Sequence, residues 1–217
     1  MPSEFPRSPK ILKGALVAYQ LPELLPTIIV FQYNPEQLTR SLQPRMATGG
    51  GRGDAQRIDG PPQESISLTV EIDAADQLEF PAQNGITVAV GLHPALAALE
   101  GLMYPAFPIV VANQVLAALG SGIILSEMAP LAFFIWGPTR VLPVVVTSVS
   151  ITEQAFDPNL NPIQARVDLS LKVLTYRELD MTNPGYWVYM ASFAQKEVMA
   201  ALNLVQNASA IKGILPF

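Results

Sequence analysis

In residues 64–72, "ESISLTVEI", Ile66, Leu68, Val70 and Ile72 fall on every second position, with Ser67, Thr69 and Glu71 between them. A period of two lays one apolar row and one polar row on opposite sides of an extended chain, so this segment is a half-buried strand and not a helix. The pattern returns in "ARVDLSLKVLTY", residues 165–176, where Val167, Leu169, Leu171 and Val173 oppose Arg166, Asp168, Ser170 and Lys172. Two such strands commit the chain to antiparallel sheet with one wet face.

Further strands follow from composition and turns. "PVVVTSVSITEQAF", beginning at Pro143, is β-branched, and "FDPNLNP" after it supplies turn residues, which predicts a long hairpin with the 165–176 strand. "KGALVAYQ" and "TIIVFQYNP" flank "LPELLP" as a second hairpin, and "LAFFIWG", residues 131–137, reads as a short, fully buried strand. Helices are fewer. "HPALAALEGLMY" spaces Leu96, Leu99 and Met103 helically behind Pro94, "NQVLAALG" ends at Gly120, and residues 186–205 follow the breaker Asn183-Pro184-Gly185 as a last helix lying outside the sheet. Residues 46–63, with four glycines in five positions from Gly49, read as a long flexible loop of the kind that is often functional.

Composition excludes several functions. The chain has 217 residues, half of them apolar and 14% charged, enough for a packed core. A net charge of −5 without a Lys/Arg cluster argues against nucleic acid, which needs a basic surface. No cysteine and a single histidine remove disulfides, thiolate chemistry and His-pair zinc sites. The start "MPSEFPRSPKILKG" lacks the apolar core of a secretory signal, which predicts cytoplasmic synthesis. Residues 107–125 carry no charge, yet Asn113, Gln114 and Gly120-Ser121-Gly122 interrupt them and no cationic flank orients them. They read as a segment buried in a domain or between subunits, without stable membrane insertion.

No catalytic or metal constellation emerges. "GGGRGD", residues 49–54, lacks the P-loop lysine and a following helix, and its Arg-Gly-Asp is a short, weak adhesion signal. Asp157, Asn159, Asn161 and Asp168 are spaced somewhat like a calcium loop, but Pro162 replaces its glycine and Asp168 its bidentate Glu, so a turn is favoured. His93 reads as a cap or surface residue, and Asp73, Asp76 and Glu79 as a solvated loop face. Trp136 reads as core, whereas Tyr186, Trp187 and Tyr189 near the last helix are candidates to anchor a partner.

"FQYNPEQLTRSLQP", "LEGLMYP" and "FFIWGPTRVLPVVVTSVSITEQAFDPNLNPIQARVDLSLKVLTY" together resemble the tube-like domain of baseplate adaptor proteins in contractile injection systems, the phage-tail-like particles assembled by some bacteria. The resemblance spans residues 13–179 and is densest over residues 136–176. It implies an α+β, mainly β fold: a tail-tube-like antiparallel β-sandwich or barrel with flanking helices, plus a C-terminal helix. The expected organisation is a domain over residues 1–179, with the 46–63 loop and a helical insertion at about 92–130, then a helical extension over 180–217.

The implied role is structural and non-enzymatic, without a cofactor: a six-fold ring joining the inner tube to the spike hub in the baseplate. The implied partners are further copies of the chain, the inner-tube protein, the spike hub protein, and other baseplate and sheath proteins. Assembly would take place in the cytoplasm, in a particle that can be released. Within the same machine an inner-tube subunit or a tube-end cap is the alternative, and the extra segment between Tyr104 and Pro130 favours the adaptor. From another class, a small-molecule or lipid binding module would use residues 107–125 to line an apolar cavity.

Several relatives carry a C-terminal LysM domain after this region, whereas this chain has only the last helix and "IKGILPF". The interface candidates are Tyr33, Asn34, Pro35 and Glu36, Phe156, Asp157, Asn159 and Asn161, and Tyr186, Trp187 and Tyr189. On this reading Asn34-Pro35-Glu36 is a turn that sends the chain toward a neighbouring subunit.

Overall fold

The computed structural model describes residues 12–20, 26–46 and 56–211. Seven strands run in the order β1 (Ala15–Tyr19), β2 (Thr27–Val30), β3 (Leu38–Gln43), β4 (Gln63–Asp73), β5 (Leu131–Ile135), β6 (Val141–Phe156) and β7 (Pro162–Val173). Helices α1 (Ala75–Leu78), α2 (Gly85–Val90), α3 (His93–Glu100) and α4 (Phe107–Ala118) separate β4 from β5, and α5 (Pro184–Ile211) closes the series. The strands form one open antiparallel sheet in the order β2-β1-β5-β6-β7-β4-β3. The fold is therefore α+β and mainly β, with flanking helices and a C-terminal helix, as the sequence predicts.

Period-two patterning sets the faces. Ile66, Leu68 and Val70 on β4 pair with Leu171, Leu169 and Val167 on β7, and all six are buried. Leu142, Val144 and Val146 on β6, Phe134 on β5 and Leu16 on β1 extend the same layer. Strand β5 alternates instead of being buried on both sides: Ala132 and Phe134 are buried, whereas Leu131, Phe133 and Ile135 are half-buried. Phe134 stacks on Trp136 with ring centroids 5.7 Å apart, and Phe31 packs against both rings. Gly14 lies so close to Phe31 and Trp136 that a side chain there would collide with them.

The sheet is strongly curled. Five strand spacings separate β2 from β4, about 24 Å if the sheet were flat. Yet Gln32, two residues beyond β2, accepts a hydrogen bond from the Asp73 amide at the end of β4, at 2.9 Å. Helix α3 lies in the mouth between these two strands and buries Leu96 and Leu99, with Leu102 following in a 3-10 turn.

Strand β3 was not foreseen, and its alternation explains why. Leu38, Arg40 and Leu42 share one face, so an arginine breaks the apolar row. Arg40 is neutralised by Glu64, whose carboxylate is only 4% exposed yet accepts from Arg40 Nε at 2.9 Å and from Lys196 Nζ at 2.9 Å. Lys196 is on α5, so this triad ties the last helix to the sheet. With Tyr189 in the core and Ser192 buried, the first half of α5 packs on the sheet and is not external to it.

Candidate interaction surfaces

The sequence-derived interface candidates fall in three separate places: the turn after β2, the turn between β6 and β7, and the start of α5. Asn34 serves its own chain: its Oδ1 accepts from the Gly14 amide at 2.9 Å and its Nδ2 donates to the Leu12 carbonyl at 2.8 Å. This side-chain clamp holds the entry to β1, so the Asn-Pro pair is first an internal fastening. Tyr33, Asn34 and Glu36 are exposed, Pro35 is half-buried, and with Thr69, Glu71 and Arg166 they line an open polar cleft of about 580 Å³.

The turn between β6 and β7 is built on Asp157. Its carboxylate accepts from the amides of Asn159 and Asn161 and from Asn161 Nδ2, at 2.7–2.8 Å. The Asn161 side-chain donor comes first among the causes that hold the Asp157 carboxyl below its usual range. These bonds use the carboxylate as an acceptor for the turn, which is the Asx geometry expected of Asp and Asn. Asn161 Nδ2 also reaches the Ala89 carbonyl, and the Leu92 amide donates to the Pro162 carbonyl at 2.8 Å, so the turn seats the corner between α2 and α3. Phe156 and Asn159 remain exposed.

Around α5 the three aromatic candidates part company. Tyr189 is 6% exposed and belongs to the core, edge-on to Tyr176, which corrects its assignment to an interface. Sequence groups it with Tyr186 and Trp187 because core and interface aromatics look alike there, and only the sheet contact separates them. Tyr186 is half-buried, and Trp187 is 59% exposed with its indole N–H donating to the Met181 carbonyl.

His93 is exposed as the first residue of α3, and Asp73 Oδ1 accepts from the Ala75 amide at the start of α1. "GGGRGD" lies outside the described residues. The base of its loop is fastened by the Met46–Ile58 bridge and by Arg177 donating to Asp59 at 2.8 Å. No group of three or more His, Cys, Asp or Glu suited to a metal occurs among the described residues.

The largest feature that sequence reasoning misplaced is the segment after α3. Helix α4 begins at Phe107 with Pro108 in its first turn, well before "NQVLAALG". No residue from 107 to 125 is buried. The expectation of a segment buried inside the domain is thereby corrected. They form an arm: Asn113 Oδ1 accepts from the Leu125 amide at 2.8 Å, while its Nδ2 donates to the Leu125 carbonyl and to Glu127 at 2.9 Å. Gly120, at φ +72°, ends the helix, and the Ser121 amide returns to the Leu116 carbonyl at 2.9 Å. Among the described residues no single helix is long and apolar enough to cross a membrane. Helices α3 and α4 approach that length only as a pair bent by 53°.

The outer face of the sheet is divided. Thr39, Ser67, Ser170 and Ser148 stand in one row across β3, β4, β7 and β6, with Thr69, Asp168 and Ser150 in the next. Toward β5, β1 and β2 the same face turns apolar, with Val17 opposite Ile28 and Phe133, Val30 exposed, and Tyr19 edge-on to Phe133. No family model matches the chain, and no curated protein matches it.

Proposed function

We propose that the chain is a non-enzymatic structural subunit of a contractile injection system: a baseplate adaptor that forms a six-fold ring and joins the inner tube to the spike hub. The observation that carries this reading is a curled, open sheet with two unlike edges, β2 and β3, neither paired on its outer side among the described residues. Monomeric proteins normally blunt such edges with charge, proline or a covering element. Here β2 is Thr-Ile-Ile-Val, with Ile28 and Val30 exposed, and the only charged residue of β3, Arg40, is engaged with Glu64. Unlike surfaces on one subunit favour head-to-tail assembly, which closes into a ring when the rotation permits.

The hydroxyl rows supply a second support, because a wet, weakly charged face suits the wall of a water-filled tube. The arm distinguishes the adaptor from a minimal inner-tube subunit, since it adds a presenting surface that a repeating tube does not need. The test is to tag the protein in its native host, sediment large particles from the lysate and locate the tag by electron microscopy. Label at one end of sheathed particles supports the adaptor, and label along exposed tubes replaces it with the tube subunit. A protein left in the low-mass supernatant while such particles sediment without it sinks the proposal.

A further inference from the structure

One cleft of this acidic chain is basic. Arg40 on β3, Arg140 in the turn before β6 and Lys196 on α5 line a cleft of about 270 Å³ with Thr139, Gln195 and Leu142, and no Asp or Glu among the described residues lines it. Like charges brought together repel, so a cluster of cations on a chain of net charge −5 favours a compensating anion.

Part of that compensation lies within the chain. The Glu64 carboxylate accepts from Arg40 Nε through one oxygen and from Lys196 Nζ through the other, each at 2.9 Å. It sets one negative charge against three positive ones, which leaves two positive charges unmatched. Arg140 is the cation without a partner. It is half-buried, and among the described residues its guanidinium has neither an ion pair nor a hydrogen bond. A guanidinium carries five N–H donors in a planar fork that matches an oxyanion, and an ammonium held by one acceptor keeps two further donors. Because Glu64 already fixes Arg40 and Lys196, little further ordering is needed to present their free donors.

We propose that this cleft binds one phosphate monoester, with Arg140 as its main contact and Arg40 and Lys196 completing the charge. Two unmatched cations suit a group that carries about −1.5 to −2 at pH 7 and three acceptor oxygens. A carboxylate or a phosphodiester, with a single charge, would leave one cation unmatched. Thr139 and Gln195 add neutral donors, and Leu142 supplies an apolar wall. The volume lies just below the range of about 300–1,000 Å³ of sites that enclose drug-sized ligands, so it suits a phosphate with a short substituent. Nucleic acid is a poorer occupant, because its backbone phosphates are diesters and the chain as a whole repels a polyanion. For a small ion the distant carboxylates matter little, since salt screens them beyond about 8 Å. The site does not depend on the ring reading above.

The test is calorimetric titration of the full-length protein with glycerol phosphate at constant ionic strength, with dimethyl phosphate and acetate as singly charged controls. The expected result is one saturable site for glycerol phosphate, with both controls weaker by at least about tenfold. Arg140→Gln, which leaves the Glu64 contacts intact, should weaken the binding at least about tenfold. No saturable binding, controls that bind as tightly, or an unchanged affinity in a folded Arg140→Gln protein overturns the proposal. The comparison of probes on the wild type decides it even where the variant does not fold. A phosphate monoester can be free or a lipid headgroup, so sedimentation with phosphatidylcholine vesicles containing phosphatidate is run alongside. Co-sedimentation that Arg140→Gln abolishes assigns the headgroup, and glycerol phosphate binding without co-sedimentation assigns the free ester.

Discussion

Helices α4 and α5 are both apolar and both have proline in the first turn, yet one is held against the sheet and the other buries nothing. The first half of α5 places Tyr189 in the core and Lys196 on Glu64, so each of its early turns has a partner on the sheet. Among the described residues, helix α4 has its side-chain hydrogen bonds at Asn113, which binds the arm's own returning segment. Apolar composition states that a surface is to be covered; it does not state by what. In α5 the cover is the sheet of the same chain, and α4 has no such cover among the described residues.

The sharpest way to break this contrast is to cut α5 from the sheet. Tyr189→Ala removes a buried ring packed against Tyr176 and should cost about 3 kcal/mol, as large-to-small changes in cores do. Urea denaturation of the purified protein measures it, and a loss under about 1 kcal/mol would mean that α5 is not part of the cooperative core.

Glu64 gives a smaller effect with a pH signature. Burial opposes its ionisation, but hydrogen bonds from Lys196 and Arg40 outweigh that cost and hold the carboxyl below its usual range. Its folded pKa is thus lower than its unfolded one. The stability it adds is complete above about pH 4.3, the unfolded value, and is lost as the pH falls through the folded value. Glu64→Gln should cost about 1–2 kcal/mol at pH 7, less than a fully buried pair, because Arg40 and Lys196 both reach solvent. The variant should also lose part of the decline below about pH 4.3 expected of the wild type. Equal acid slopes in the two proteins would show that the triad does not couple α5 to the sheet.

How much of this was legible in the sequence depends on where each partner lies. Strands β4, β6 and β7 could be read because a period of two is local and each pairs with regular neighbours. Strand β3 was hidden by Arg40, since an inward-facing arginine makes sense only beside Glu64, 24 positions later. Tyr189 and Trp187 look alike in sequence, two positions apart on one helix, and only the sheet distinguishes them. Arm residues 107–125 gave the opposite error, because an uncharged apolar run signals burial whether the cover is the same chain or another. Helices α1 and α2 left no periodic signal, being short and with no fully buried residue.

At the other helix the expected effects on stability are small. Val115→Asp should change monomer stability by less than about 0.5 kcal/mol, since the side chain is exposed. Urea denaturation of the variant measures it. A cost above about 1 kcal/mol in the monomer would mean that α4 packs on its own chain after all.

The finest distinction lies inside the arm. Asn113→Ala removes the acceptor for the Leu125 amide and two donated bonds, but touches nothing in the sheet. Global stability should therefore hold within about 0.5 kcal/mol, because an exposed appendage opens without unfolding the core. Hydrogen exchange at the Leu125 amide should accelerate by about tenfold, the loss of one ordinary hydrogen bond of about 1 kcal/mol or slightly more. Exchange at the Leu169 amide, in the middle of β7, should be unchanged. If both amides accelerate together, the arm and the sheet open as one unit, and α4 differs from α5 only in exposure. If Leu125 alone responds, the arm is a separately held element whose order is set by Asn113.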